Sequence, residues 1–144
     1  MNKITAILVD DEINARENLR FLLNDFCKNV TILAEATNVD EALKLIEEYK
    51  PQVVFLDVGM PQKNGFKLLE EIDDLDFQVI FVTAYNSYAI KAFQVAAIDY
   101  LLKPIDIDLL VKAVEKATVN IENKITKERI KLLEKTEKEI SKIA

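Results

Sequence analysis

Three aspartates end two strand-like runs. Val53-Val54-Phe55-Leu56 closes on Asp57, and the turn residues Val58-Gly59-Met60-Pro61 follow at once. Ile4–Val9 closes in the same way on Asp10-Asp11. Burying an unpaired charge is costly, so carboxylates at the ends of buried strands are a poor choice for packing. Two such strands ending in three acids point to a built site for a cation and for anionic chemistry. Histidine is absent. That excludes histidine triads, histidine metal sites and phosphohistidine carriers within this chain. Any nucleophile is therefore another residue, and any metal site is rich in oxygen.

The elements that must position these acids alternate between strand and helix. Ile4–Val9 is followed by a helix from about Asn14, with Ala15, Leu19, Leu22 and Phe26 as its buried stripe. Val30–Ala36 reads as a second strand. Asn38 and Glu41 resemble a capping box that opens a helix. Its inward residues are Ala42, Leu43 and Ile46, and it stops before Pro51. Val53–Asp57, apolar on both faces, suits a parallel sheet covered by helices. Asn64-Gly65 punctuates the loop before a short helix carrying Leu68, Leu69 and Ile72. Gln78–Thr83 is the fourth strand. Ser87 is expected to cap a helix with Ala89, Ile90 and Phe93, and Asp99–Leu102 is a short fifth strand. After Lys103-Pro104, Asp106 caps a last helix with Leu110, Val114 and Ala117 inward.

This alternation predicts an α/β domain built on a five-stranded parallel sheet with helices on both faces. The flavodoxin-like strand order 2-1-3-4-5 is expected, with its site at the carboxyl ends of the strands. In that order Asp10, Asp11 and Asp57 converge, joined by Thr83 and Lys103 from the ends of strands four and five.

The remaining composition bounds the answer. The 144 residues suffice for one domain, and half of them are hydrophobic. No apolar run approaches the roughly 18 residues of a membrane span. Met1-Asn2-Lys3-Ile4 leads directly into a strand, without a signal-peptide pattern, and the single cysteine, Cys27, has no internal disulfide partner. A cytoplasmic protein is expected, with no membrane partner. The net charge of −6 divides unevenly, as −8 over residues 1–114 and +2 over residues 115–144. An acidic body is a poor surface for nucleic acid, so any DNA contact is expected through another domain. Residues 118–144 contain neither Gly nor Pro and read as a helical extension. Its apolar residues, Ile121, Ile125, Leu132, Leu133, Ile140 and Ile143, are spaced unevenly among charges and form an imperfect heptad, with Glu128 and Glu139 on the stripe, that could pair with a second copy.

Taken together, Asp10-Asp11, Asp57, Met60-Pro61 with Gly65, Thr83-Ala84 and Lys103-Pro104 resemble the receiver domain of two-component response regulators. The resemblance covers residues 1–120 and leaves 121–144 as a helical linker toward an effector domain absent from this chain. It implies that Asp57 is the phosphoacceptor, a carboxylate nucleophile served by a sensor histidine kinase. Asp10 and Asp11, with Asp57 and the Gly59 carbonyl, would hold Mg²⁺, which takes a few carboxylates and keeps waters. Lys103 would pair with a phosphoryl oxygen, and Lys103-Pro104 would be a cis peptide. Thr83 would be the switch hydroxyl and Tyr100 the aromatic that responds to it, biasing the surface of helix four, strand five and helix five. Homodimerisation on phosphorylation is implied. The segment from Thr83 to Phe93, with Asp99–Pro104, is most similar to receivers of the LytTR type, whose second domain is a β-rich DNA-binding module. In receivers the residues two past the phosphoacceptor and two past the switch hydroxyl influence dephosphorylation. Here they are Gly59 and Tyr85, and Tyr85 is expected to shield the acyl phosphate while Gly59 leaves it room.

Other readings stand beside this one. Asp10 and Asp11 could simply cap the first helix, and Lys103 could be a solvated turn lysine. A stand-alone receiver acting as a protein-binding module would share all these motifs. An aspartate-nucleophile phosphatase resembles an Asp-x-Asp site, whereas Gly59 lies two past Asp57. The chain is therefore expected not to be an enzyme beyond its own phosphorylation and dephosphorylation.

Overall fold

The computed structural model describes residues 2–94 and 97–143. Five strands, β1 (Ile4–Val9), β2 (Val30–Ala36), β3 (Val53–Leu56), β4 (Gln78–Thr83) and β5 (Asp99–Leu102), alternate with five helices. The helices are α1 (Ile13–Phe26), α2 (Val39–Tyr49), α3 (Gly65–Glu70), α4 (Ala89–Gln94) and α5 (Ile107–Ile143). The sheet order is β2-β1-β3-β4-β5, and every neighbouring pair is parallel. This is the expected order, and it sets β1 beside β3.

Each strand divides its side chains between two cores, because successive residues point to opposite faces. Ile4, Ala6 and Leu8, with Val53, Phe55, Ile80 and Val82, meet Leu19, Leu22 and Leu23 of α1 and Leu110, Val114 and Ala117 of α5. The alternate residues, Ile7, Val9, Val54, Leu56, Val79 and Phe81, meet Val39 and Ala42 of α2, Phe66, Leu68 and Leu69 of α3, and Ala92 of α4. All four residues of β3 are buried, as a central parallel strand requires. A fully buried side chain of this kind contributes about 1.5–3 kcal/mol of apolar transfer.

Local chemistry sets the helix ends. Asn38 Oδ1 accepts from Glu41 N at 2.8 Å, while the Glu41 carboxylate accepts from Thr37 N at 3.0 Å. The box therefore closes on the residue before the cap, one position earlier than expected. Lys50 ends α2 in the left-handed region, φ 47°, just before Pro51. Asn64 caps α3 through Lys67 N at 3.1 Å, and Asp106 caps α5 through Leu109 N at 3.1 Å.

Several expectations shift. The inner stripe of α1 runs through Leu19, Leu22 and Leu23, while Phe26 is 48 % exposed. Phe26 is the last helical residue; the inward place at this end goes to Cys27, one turn past Leu23 and 4 % exposed, and Phe26 borders a surface groove with Val111 and Val114. Asp57 lies one residue beyond β3. α4 starts at Ala89, and Ala92 N donates to Tyr88 O at 2.9 Å. Ser87 is thus one residue outside the cap position. The side chains of Ile90 and Phe93, expected inward on α4, lie outside the described residues. No helix among the described residues is long and apolar enough to cross a membrane.

Candidate functional site

The carboxyl ends of β1, β3, β4 and β5 deliver Asp10, Asp57, Thr83 and Lys103 to one edge of the sheet. Main-chain pairing carries each ladder to that edge. Asp10 N donates to Ala36 O at 3.1 Å, Asp57 N to Val9 O at 3.0 Å and Lys103 N to Thr83 O at 2.8 Å. Asp10, Asp57 and Thr83 are buried, while Asp11 points to solvent.

Lys103 Nζ lies between the two buried acids. It donates to Asp10 Oδ2 at 2.6 Å and to Asp57 Oδ2 at 3.3 Å. Each carboxylate uses its other oxygen locally. Asp10 Oδ1 accepts from Glu12 N at 2.9 Å, and Asp57 Oδ1 accepts from Gly59 N at 3.1 Å. Asp10 therefore orders the turn before α1 with one oxygen, but neither Asp10 nor Asp11 caps the helix. The N-cap position itself, Glu12, makes no side-chain cap bond. Burial pushes the Asp10 carboxyl above its usual range, against the lowering bonds from Lys103 and Glu12 N–H. Burial alone would lower the Lys103 ammonium, but the Asp10 hydrogen bond and the charges of Asp57 and Asp10 outweigh it and raise its pKa. The Lys103–Pro104 peptide is cis, as expected.

One carboxylate oxygen from each of Asp10, Asp11 and Asp57 lies within 4.8 Å of the others. Three acids against one ammonium leave about two uncompensated negative charges when all are ionised, which one divalent cation would balance. The donors are all oxygens, with no softer ligand nearby. This set fits a hard cation such as Mg²⁺.

The β4 end leads into a linked loop. Thr83 is fully buried, and its Oγ1 accepts weakly from Tyr85 N at 3.4 Å. The half-buried Tyr100 packs its ring 5.8 Å from that of Phe81 and donates its hydroxyl to the Tyr85 carbonyl oxygen. Burial raises the Tyr100 phenol pKa. The Tyr85 ring covers Gly59 so closely that a Cβ built there would overlap Cε2 of the ring. Two further contacts were not legible beforehand. A Cβ on Gly65 would run into the Asp57 carbonyl oxygen and sit 3.0 Å from Leu56 Cγ. Arg16 Nη1 donates to Asp10 O at 2.8 Å while its Nε meets Glu35 at 3.3 Å. Arg16 and Arg20, one helical turn apart, share Glu35; their i, i+4 spacing was the available signal, but Glu35 comes from the neighbouring strand.

Residues 6–115 match the model of the response regulator receiver domain family. An uncharacterized response regulatory protein of Vibrio cholerae is 46 % identical over 114 residues, covering 78 % of this chain and 48 % of that protein. The sensory transduction protein LytT of Oceanobacillus iheyensis is 43 % identical over 106 residues, covering 71 % of this chain and 43 % of LytT. This chain thus spans about half the length of these relatives. The response regulatory domain of mrkE from Klebsiella pneumoniae superposes with a TM-score of 0.75 at 28 % identity, over 83 % of this chain and 99 % of that domain.

Proposed function

The chain belongs to the response regulator receiver domain family, and on that premise we propose that Asp57 accepts a phosphoryl group from a histidine of a sensor kinase. An Asp57 oxygen attacks phosphorus, the bond from phosphorus to the donor imidazole nitrogen breaks, and the imidazole leaves with the electron pair. An aspartyl phosphate results. The observation that carries this reading is the Lys103 ammonium held between Asp10 and Asp57. It is a cation already placed where phosphoryl oxygens would enter, and phosphoryl transfer depends mostly on positioning and charge stabilisation. Mg²⁺ held by Asp10, Asp11, Asp57 and the Gly59 carbonyl would offset repulsion between these acids and the incoming group.

Thr83 and Tyr100 are proposed as the switch. The Thr83 hydroxyl, which accepts from Tyr85 N at 3.4 Å, turns its hydrogen toward the new phosphoryl oxygen. The Thr83–Tyr85 loop moves with it. The Tyr100 hydroxyl is tied to the carbonyl of Tyr85, so the same motion alters the α4–β5–α5 surface. A phosphoryl group adds roughly −1.5 to −2 charge, enough to shift a two-state balance by a few kcal/mol. The changed surface would favour homodimerisation. Transcription regulation would follow through a LytTR-type DNA-binding domain beyond residues 1–144, with 121–144 as the linker. No turnover of a separate substrate is proposed.

Intact-mass spectrometry after incubation with Mg²⁺ and a small acyl phosphate tests the site. One phosphoryl adduct is expected on the wild type and none on Asp57→Ala. Persistent labelling of that variant would refute Asp57 as the acceptor.

A further inference from the structure

We propose that residues 119–140 of α5 form a parallel two-stranded coiled coil with a second copy of this chain. The stripe through Ile121 and Ile125 does not serve, because the fold has taken its first half. Ile121 is 8 % exposed, Lys124 pairs with Asp76, and Ile121, Lys124, Ile125 and Glu128 border a groove against Pro51 and Phe77. At about 100° per residue, the opposite side of the helix lies roughly 160° from this arc. There a different 3-4 repeat is uncovered. Starting from Val119, it runs through Asn123, Thr126, Ile130, Leu133, Glu137 and Ile140. Val119, Ile130, Leu133 and Ile140 are 52 %, 48 %, 63 % and 60 % exposed.

Charge selects the occupant of this face. With Asn123, Ile130 and Glu137 at a, and Thr126, Leu133 and Ile140 at d, the charged g positions are Glu122 and Arg129 and the charged e positions are Lys127 and Glu134, while Thr136 and Ser141 are the uncharged g and e positions of the last heptad. In a parallel dimer each g residue faces the e residue five positions later in the partner helix. Both predicted pairs, Glu122 with Lys127 and Arg129 with Glu134, are of opposite sign in this register. Among the described residues, Lys127, Arg129 and Glu134 make no ion pair within the chain, while Glu122 accepts from Asn2 Nδ2 at 2.9 Å through one carboxylate oxygen. An Asn at a favours one register and two strands. The residues of α5 that pack on the sheet, Leu110, Val114, Ala117 and Ile121, lie on the other side of the helix from this stripe. A second copy satisfies the apolar stripe and the flanking charges together.

Sedimentation without any phosphoryl donor tests this apart from the Asp57 chemistry. The average mass should rise from one chain toward two between micromolar and millimolar concentration. Arg129→Glu and Glu134→Arg should each weaken association about tenfold. Their equimolar mixture should restore it, because both cross-helix pairs are then attractive. Glu137→Leu should strengthen association at least about tenfold, and Lys135→Leu, on the outer face, should not. Ile140→Cys should cross-link to itself under mild oxidation, as parallel register requires. A monomer at every concentration, a mixture no stronger than its components, equal gains from the two leucines or no cross-link would each overturn the proposal. Circular dichroism should show all variants folded, and phosphoryl labelling of Asp57 should be unaffected by them.

Discussion

At the scale of single residues, the site is a small set of charges, each with a second duty. Asp10 orders the entry to α1 with one oxygen and holds Lys103 with the other. The Tyr85 ring lies over Gly59, two residues past Asp57, and is proposed to shield the acceptor from water. Tyr85→Ala should shorten the lifetime of the aspartyl phosphate several-fold, read as the decay of the adduct mass. A lifetime equal to or longer than wild type would remove the shielding role. Cys27 is a packing residue at the end of α1, and burial pushes its thiol up to about 11, with the Glu115 charge adding to the effect. The folded state therefore favours the protonated thiol. Its contribution is complete below the unfolded value near 8.5 and is lost as pH rises through about 11. Thiol-reagent labelling of the folded protein should accelerate across that window, where thermal stability should fall. Rapid labelling at neutral pH would contradict the assignment.

At the scale of elements, the strands are held by alternation, and α2, α3 and α5 are opened by side-chain caps. In α3 the first residue is also a point of close approach. Gly65 N donates to Val58 O at 3.1 Å, and a Cβ would overlap the Asp57 carbonyl oxygen. That obstacle is main chain and cannot swing aside. Gly65→Ala should cost about 1–3 kcal/mol in denaturant unfolding, and it should slow phosphoryl labelling by displacing Asp57. A fully stable variant with wild-type labelling would show that α3 can shift freely. The boundaries of β1, β2, β4 and β5 were readable from apolar runs and turn residues. Phe26 was misassigned, because Leu22 and Leu23 both fit the helical period, and only the packing decides that Cys27 rather than Phe26 continues the inner stripe. Ser87 was misassigned as well, because several adjacent residues could open α4 and sequence pattern alone does not rank them.

At the scale of the whole molecule, three acids from two strand ends are drawn together against their own repulsion. The Asp10 carboxyl is raised chiefly by burial. A raised carboxyl stabilises the fold below the unfolded pKa, and that contribution is lost as pH rises through the folded value. The ionised form of Asp10 is therefore a burden on the metal-free protein. Asp10→Asn should raise the metal-free Tm by about 2–5 °C, and Mg²⁺ should stabilise the wild type more than the variant. A lower metal-free Tm in the variant would show that the Lys103 pair outweighs burial. The sequence by itself determined the order of elements, the convergence of Asp10, Asp57, Thr83 and Lys103, and the helical tail. Those follow from apolar period, turn residues and parallel crossover rules, which are local or topological. The tertiary structure alone decided which oxygen of each acid meets Lys103, that Tyr85 covers Gly59, and which stripe of α5 stays open. These depend on side chains brought together from distant segments, whose directions and distances no spacing along the chain encodes.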